Sequence, residues 1–194
     1  MILTEEFLSG ISMKYNINSY SETRILNENF YMAAENKTYD LFISHSFLDR
    51  TLIITLVKMF NELKYSVYVD WLEDKSLDRT NVTPDTAKLI RSRISKCKGL
   101  AYIATSNIVD SKWCPWELGI GDGIHDGRAC ILPVLENTAD FKGTEFVGIY
   151  PYIDYAEIKN SENYDFWVTD QEDSSKYISL RAWLNGQEPQ KHND

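Results

Sequence analysis

Cysteine is scarce: Cys97, Cys114 and Cys130 are the three in 194 residues. The count is odd and no two stand as Cys-x-x-Cys, which argues against a disulfide framework or a zinc site and fits a reducing cytosol. Long apolar runs are missing too, and none approaches the roughly 20 residues that cross a bilayer. The opening Met1-Ile-Leu-Thr-Glu-Glu6 has no basic region followed by an apolar one. No secretory signal and no membrane association are therefore expected, and the chain reads as cytoplasmic. Basic charge is in deficit, with 20 Lys and Arg against 29 Asp and Glu, for a net charge of −9. That disfavours a nucleic-acid partner, while leaving room for a small anionic ligand in a favourable pocket. There is no Gly-x-Gly-x-x-Gly and no Gly-Lys-Ser/Thr, so a Rossmann dehydrogenase or a P-loop NTPase is disfavoured. No His, Asp and Glu cluster has metal-ligand spacing, and no metal is expected. Repeats and low-complexity tracts are also absent.

What remains is an ordinary globular composition, 43 % apolar and 13 % aromatic, long enough to bury a substantial core. Residues 1–38 are polar and weakly patterned, with a helix expected over Ser21–Ala34. They are read as an N-terminal extension that packs on the domain or joins an assembly, with disorder of the first few residues an equal expectation. From Tyr39 strands and helices alternate. Strands are expected at Tyr39–Ser44, Tyr65–Asp70, Gly99–Thr105, Ala129–Leu135 and near Gly148–Ile153. Between them Leu52, Leu56, Met59, Phe60 and Leu63 recur at helical spacing. Thr83-Pro84 starts a second helix, with Thr as cap and Pro in the first turn. Trp71–Val82 carries five charged residues in twelve and reads as a long loop. Asn137–Thr144 and residues 159–174 also read as loops, Ser175–Leu184 as a closing helix, and 187–194 as a flexible tail. Strand–helix alternation implies a parallel sheet with helices on both faces. Such sheets bind ligands beyond the carboxyl ends of their strands.

Three strand exits carry chemistry-bearing residues. Ser44-His-Ser-Phe-Leu-Asp49 offers hydroxyls, an imidazole and a carboxylate where the chain turns from strand into helix, although Ser44 and Asp49 serve equally well as caps. Asp70-Trp71 pairs an acid suited to ribose hydroxyls with a ring suited to stacking; Trp71 also suits a plain packing role. Trp113-Cys-Pro-Trp-Glu117 places an aromatic ring and a carboxylate four apart, on one face of a helix. An isolated helix-face Glu is usually just solvated. Cys114 is read as a small packing residue before a nucleophile. Gly119, Gly121 and Gly123 weaken the helix that carries Glu117, and so either permit close packing on the sheet or end it early.

Together, Tyr39-Asp-Leu-Phe-Ile-Ser-His-Ser46 with Asp49, Tyr68-Val-Asp-Trp71, and Ser111-Lys-Trp-Cys-Pro-Trp-Glu117 resemble a TIR domain (Toll/interleukin-1 receptor type), particularly those of bacterial antiviral defence of the Thoeris kind. The resemblance spans about Tyr39–Tyr155 and places a TIR domain at 39–186, with no counterpart for residues 1–38. It implies a flavodoxin-like five-stranded parallel sheet and one of two functions: cleavage of NAD+ between nicotinamide and ribose, or assembly with other TIR domains without catalysis. In cleaving members a glutamate at the position of Glu117 is catalytic. By the same likeness Ser44, His45, Ser46, Asp49, Asp70, Trp71, Trp113 and Cys114 border the substrate. NAD+ is then a substrate and no cofactor is implied. Self-assembly, and a partner effector that senses a nucleotide messenger, are further expectations. The unusually charged loop after the second strand departs from common TIR loops. A nucleoside deoxyribosyltransferase-like enzyme is a third reading, since such enzymes also set a carboxylate at an N-glycosidic bond.

Overall fold

The computed structural model describes residues 1–36, 38–69, 83–111, 113–136 and 145–192. Five short strands build the parallel centre: β2 (Tyr39–Ser44), β3 (Val67–Tyr68), β4 (Cys97–Ala104), β5 (Ala129–Leu135) and β6 (Tyr152–Glu157). Their order in space is β3-β2-β4-β5-β6. Both faces are buried, and the alternation of side chains shows how. On β2, Leu41 and Ile43 join one core cluster while Phe42 joins the other. On β4, Ala101 and Ile103 oppose Leu100 and Tyr102; on β5, Cys130, Leu132 and Val134 oppose Ala129 and Ile131. A strand buried on both sides reads as a continuous apolar run, as these do.

Helix α3 (Arg50–Glu62) covers the first face through Ile53, Ile54, Leu56, Val57 and Phe60. Each such side chain contributes about 1.5–3 kcal/mol by burial. Helices α4 (Pro84–Ile94) and α5 (Cys114–Ile124) cover the second face with Ile90, Ile94, Cys114 and Leu118. Thr83 caps α4 as expected, its hydroxyl accepting from Thr86 N at 3.1 Å. The chain leaves β2 for β3 on one side and returns to β4 on the other. Strand order therefore reverses between β2 and β4, and the crevice at their carboxyl ends is the switch point where α/β sheets bind ligands.

The first 36 residues are built into this frame. Strand β1 (Leu3–Thr4) pairs in parallel with Val134 and Leu135 of β5. Helix α1 (Glu5–Lys14) follows, started by Thr4, whose hydroxyl accepts from Phe7 N at 3.1 Å. Helix α2 (Ser19–Asn36) and α1 both pack on α3, with Leu3, Leu8 and Ile25 in the core. From α2, Asn29 reaches the outer edge of β3. Its amide donates to Val67 O at 2.6 Å and its carbonyl accepts from Val67 N at 2.8 Å. One side chain thus takes the place of a neighbouring strand.

Beyond β6 the sheet departs from the sequence expectation. The fifth parallel strand lies at Tyr152–Glu157, not Gly148–Ile153; Glu145–Ile149 is a 3-10 turn with Ile149 exposed. Pro151 has no N–H to give a ladder, and the strand begins after it. The expected loop at 159–174 contains β7 (Tyr164–Thr169), antiparallel to β6, with Phe166 and Val168 wholly buried. The expected closing helix splits into β8 (Lys176–Ser179) and a short α6 (Leu180–Leu184). Tail residues Gln190–Lys191 form β9 against β8, held by His192 stacked on Tyr177 with ring centroids 4.0 Å apart. The expected loops at Trp71–Val82 and Asn137–Thr144 lie outside the described residues.

Candidate active site

Ser44 is the last residue of β2 and is fully buried. Glu117 lies in the first turn of α5 and is also fully buried. The Ser44 hydroxyl donates to Glu117 Oε2 at 2.7 Å. A carboxylate withdrawn from water must be hydrogen-bonded to be tolerated, and Ser44 supplies one such bond from the neighbouring strand. The approach of α5 that makes this reach feasible depends on Gly121, one turn after Glu117. A Cβ there would stand 2.7 Å from Leu100 Cδ1 and 2.9 Å from Leu100 Cβ. Of the two readings of this glycine-rich helix, close packing on the sheet is the one observed at Gly121.

The turn after β2 is locked onto both neighbouring segments. His45 is buried, and its Nδ1 lies 2.9 Å from Ile43 O; a carbonyl only accepts, so Nδ1 carries the proton. Ser46 caps the 3-10 turn Phe47–Asp49 through Leu48 N. Asp49 stands at the N-cap position of α3 yet makes no capping bond. Its carboxylate instead accepts from Thr105 Oγ1 and from Asn107 Nδ2, each at 2.6 Å. The exits of β2 and β4 are thereby tied together across the switch point. Thr105 and Asn107 did not stand out in the sequence; their one signal is a hydroxyl and an amide just after a buried strand.

At the start of α5, Ser111 receives Cys114 N on its hydroxyl at 3.2 Å and donates to Cys114 Sγ at 2.9 Å. The Cys114 thiol donates to His45 O at 3.2 Å. Cys114 is fully buried and works as a tie between α5 and the β2 exit. Trp113 is 7 % exposed and packs edge-on against Trp116, with centroids 5.4 Å apart. Tyr102 sits opposite Ser44 in the β2–β4 register. Burial first, and Cys114 second, push its phenol up to about 12, so it stays a neutral hydroxyl at ordinary pH.

The structure thus places Ser44, His45, Ser46, Asp49, Cys114 and Glu117 around the carboxyl end of β2, with Trp113 at the start of α5. Asp70 and Trp71 lie outside the described residues. Among the described residues no cluster of three or more His, Cys, Asp or Glu could hold a metal ion, and no helix is long and apolar enough to cross a membrane.

No family model matches the chain. It is 40 % identical over 191 residues to the probable 3' cyclic ADP-D-ribose synthase ThsB' of Bacillus cereus (strain MSX-D12), covering 94 % of this chain and 97 % of that protein. It is 39 % identical over 96 residues to a putative cyclic ADP-D-ribose synthase TIR2 of Cytobacillus dafuensis, covering 49 % of this chain and 25 % of that protein. Among solved structures it is similar to the TIR domain of the Toll-related receptor TRR-2 from Hydra magnipapillata, at 22 % identity and a TM-score of 0.39, over 54 % of this chain and 75 % of that one. With 40 % identity along nearly the whole of both sequences, the chain belongs to the TIR-domain family that includes ThsB'.

Proposed function

We propose that this protein cleaves NAD+ at the nicotinamide–ribose bond and closes the ADP-ribose that remains into a cyclic product, as a cytoplasmic enzyme of Thoeris-like antiviral defence. The observation that carries this is the buried Ser44–Glu117 pair at the β2–β4 switch point. The naming of both curated relatives as cyclic ADP-D-ribose synthases supports it.

Nicotinamide in NAD+ is already a cationic leaving group. When the C1′–N bond breaks, its electron pair goes to nicotinamide, which departs neutral, and the ribosyl carbon is left oxocarbenium-like. The task left to the protein is to hold negative charge against that cation. A pre-positioned carboxylate does so without reorganising in the transition state. Ser44 fixes the rotamer of Glu117, and Asp49 with Thr105 and Asn107 holds the strand exits that frame the crevice. His45, Ser46, Cys114 and Trp113 shape its walls. An oxygen or ring nitrogen of the adenosine half then bonds to C1′ and closes the ring, with one proton released overall. Water in its place gives linear ADP-ribose. NAD+ is the substrate and no separate cofactor is required. Self-association of the TIR domain, and a partner effector that senses the product, complete the proposal.

The test is incubation of concentrated protein, and of Glu117→Ala, with NAD+, followed by chromatography and mass spectrometry. Nicotinamide release by the native protein alone, with a second product lighter than ADP-ribose by one water, is the expected result. If the native protein releases none even when fused to an oligomer, the reading fails and a non-catalytic assembly module takes its place.

A further inference from the structure

A cleft of about 330 Å³ opens between α1 and the first turns of α3. It is at the small end of the range for ligand sites, about 300–1,000 Å³. Glu117 does not line it, and α5 lies on the opposite face of the sheet. Yet Asp49 and Asn107 do line it, and these two tie the β2 exit to the β4 exit beside Ser44. The cleft therefore has its rim at that tie, on the face of the sheet opposite α5.

Its walls are mixed in a specific way. Leu8, Leu48 and Leu52 supply apolar surface, while Ser9, Ser12 and Thr51 supply hydroxyls. Apolar flanks with hydroxyls at the edges match a flat base and its ribose, since a base has two apolar faces and a polar perimeter. A phosphate is poorly matched. The guanidinium of Arg50 is engaged by Glu22, and Glu5 and Asp49 add negative charge.

We propose that this cleft is a nucleoside site that anchors the adenosine half of the dinucleotide, with α1 as its outer wall. This rests on the NAD+ reading above. With the base held here, the adenosine ribose lies at the rim, within reach of the carbon that Glu117 stabilises. That placement favours ring closure over capture by water. Residues 1–36 then have a role in product choice as well as in packing.

Two variants fill the cleft from α1 without touching the core: Ser9→Trp, at an exposed position, and Ser12→Trp, at a half-buried one. Thermal melting confirms that each is folded, and either one suffices. Adenosine is titrated by calorimetry into the native protein and both variants. Binding to the native protein, weakened at least tenfold by the added ring, is the expected result. With NAD+, the variants show a KM at least fivefold higher and a smaller cyclic share among the products. Adenosine that binds a folded variant as tightly as the native protein, or binds neither, overturns the proposal. Adenosine binding that is lost in the variants, in a native protein that releases no nicotinamide, sinks the NAD+ reading and leaves the nucleoside site standing.

Discussion

Ser44 and Glu117 stand 73 positions apart in the chain and 2.7 Å apart in space, both sealed from solvent. Neither the strand nor the helix alone makes this contact; their ends do so together. Ser44→Ala removes one donor from a buried carboxylate. That costs about 1.5–3 kcal/mol, the range for hydrogen bonds to charged groups. Glu117→Gln keeps the shape and removes the charge. Nicotinamide release is expected to fall about 100-fold or more in Glu117→Gln, the scale of losing one electrostatic stabiliser. Denaturant titration and a product assay on the two variants separate the structural effect from the chemical one.

Two of the three glycines of α5, Gly119 and Gly121, make a contrasting pair. A methyl at Gly121 runs into Leu100, including its Cβ, so Gly121→Ala must shift helix against strand. Overpacking of this kind costs about 1–3 kcal/mol, and the same shift carries Glu117 away from Ser44. Gly119 has nothing within 4 Å of an added Cβ and is exposed. Gly119→Ala should stabilise the fold by about 0.5–1 kcal/mol through helix propensity. Opposite signs in urea midpoints check both; a neutral Gly121→Ala contradicts the packing account.

Asn29 is 1 % exposed and satisfies both backbone groups of Val67 at the sheet edge. Asn29→Ala orphans a donor and an acceptor, at about 1–3 kcal/mol for each group left unsatisfied. Asn29→Asp should be worse, since a carboxylate then faces the Val67 carbonyl at the former donor position. Equal stability for the two variants would show that the amide's direction has no consequence.

His125 ends α5, and its Nε2 is buried without a hydrogen-bond partner. Burial holds its pKa below the usual 6.5, opposed by a backbone bond to Ile94. Below about pH 6.5 the unfolded chain takes up a proton that the folded chain does not, so stability falls as pH drops from 6.5 toward the lowered value. Above 6.5 both states are neutral and this contribution is flat. Melting temperatures from pH 7.5 to 5 should decline less steeply in His125→Gln than in the native protein.

Much of this is legible in the amino-acid sequence. β2, β4 and β5 announced themselves as short apolar runs, and Trp113-x-x-x-Glu117 marked the exit of β4 with an acid. β7 was legible in principle, because Phe166 and Val168 alternate with Asp165 and Trp167, but the polar residues on either side hid it. The start of α1 also had its signal, a Thr cap followed by Glu5 and Glu6. Other features could not be read. Asn29 bonds to the backbone of a residue 38 positions away, and a backbone partner leaves no mark in sequence. Asp49 looked like a helix cap and instead bonds to Thr105 and Asn107, because tertiary donors outcompete the local turn.

The pairing of Leu3 and Thr4 with Val134 and Leu135 also bears on the order of events at the ribosome. The edge that receives β1 is translated roughly 130 residues after β1 itself. At about 5–20 residues per second that is a wait on the order of ten seconds, during which Leu3 and Thr4 lack their strand partner. The nascent chain therefore carries a long-delayed docking at β1, and a chaperone or a slow codon stretch would act strongly on that interval.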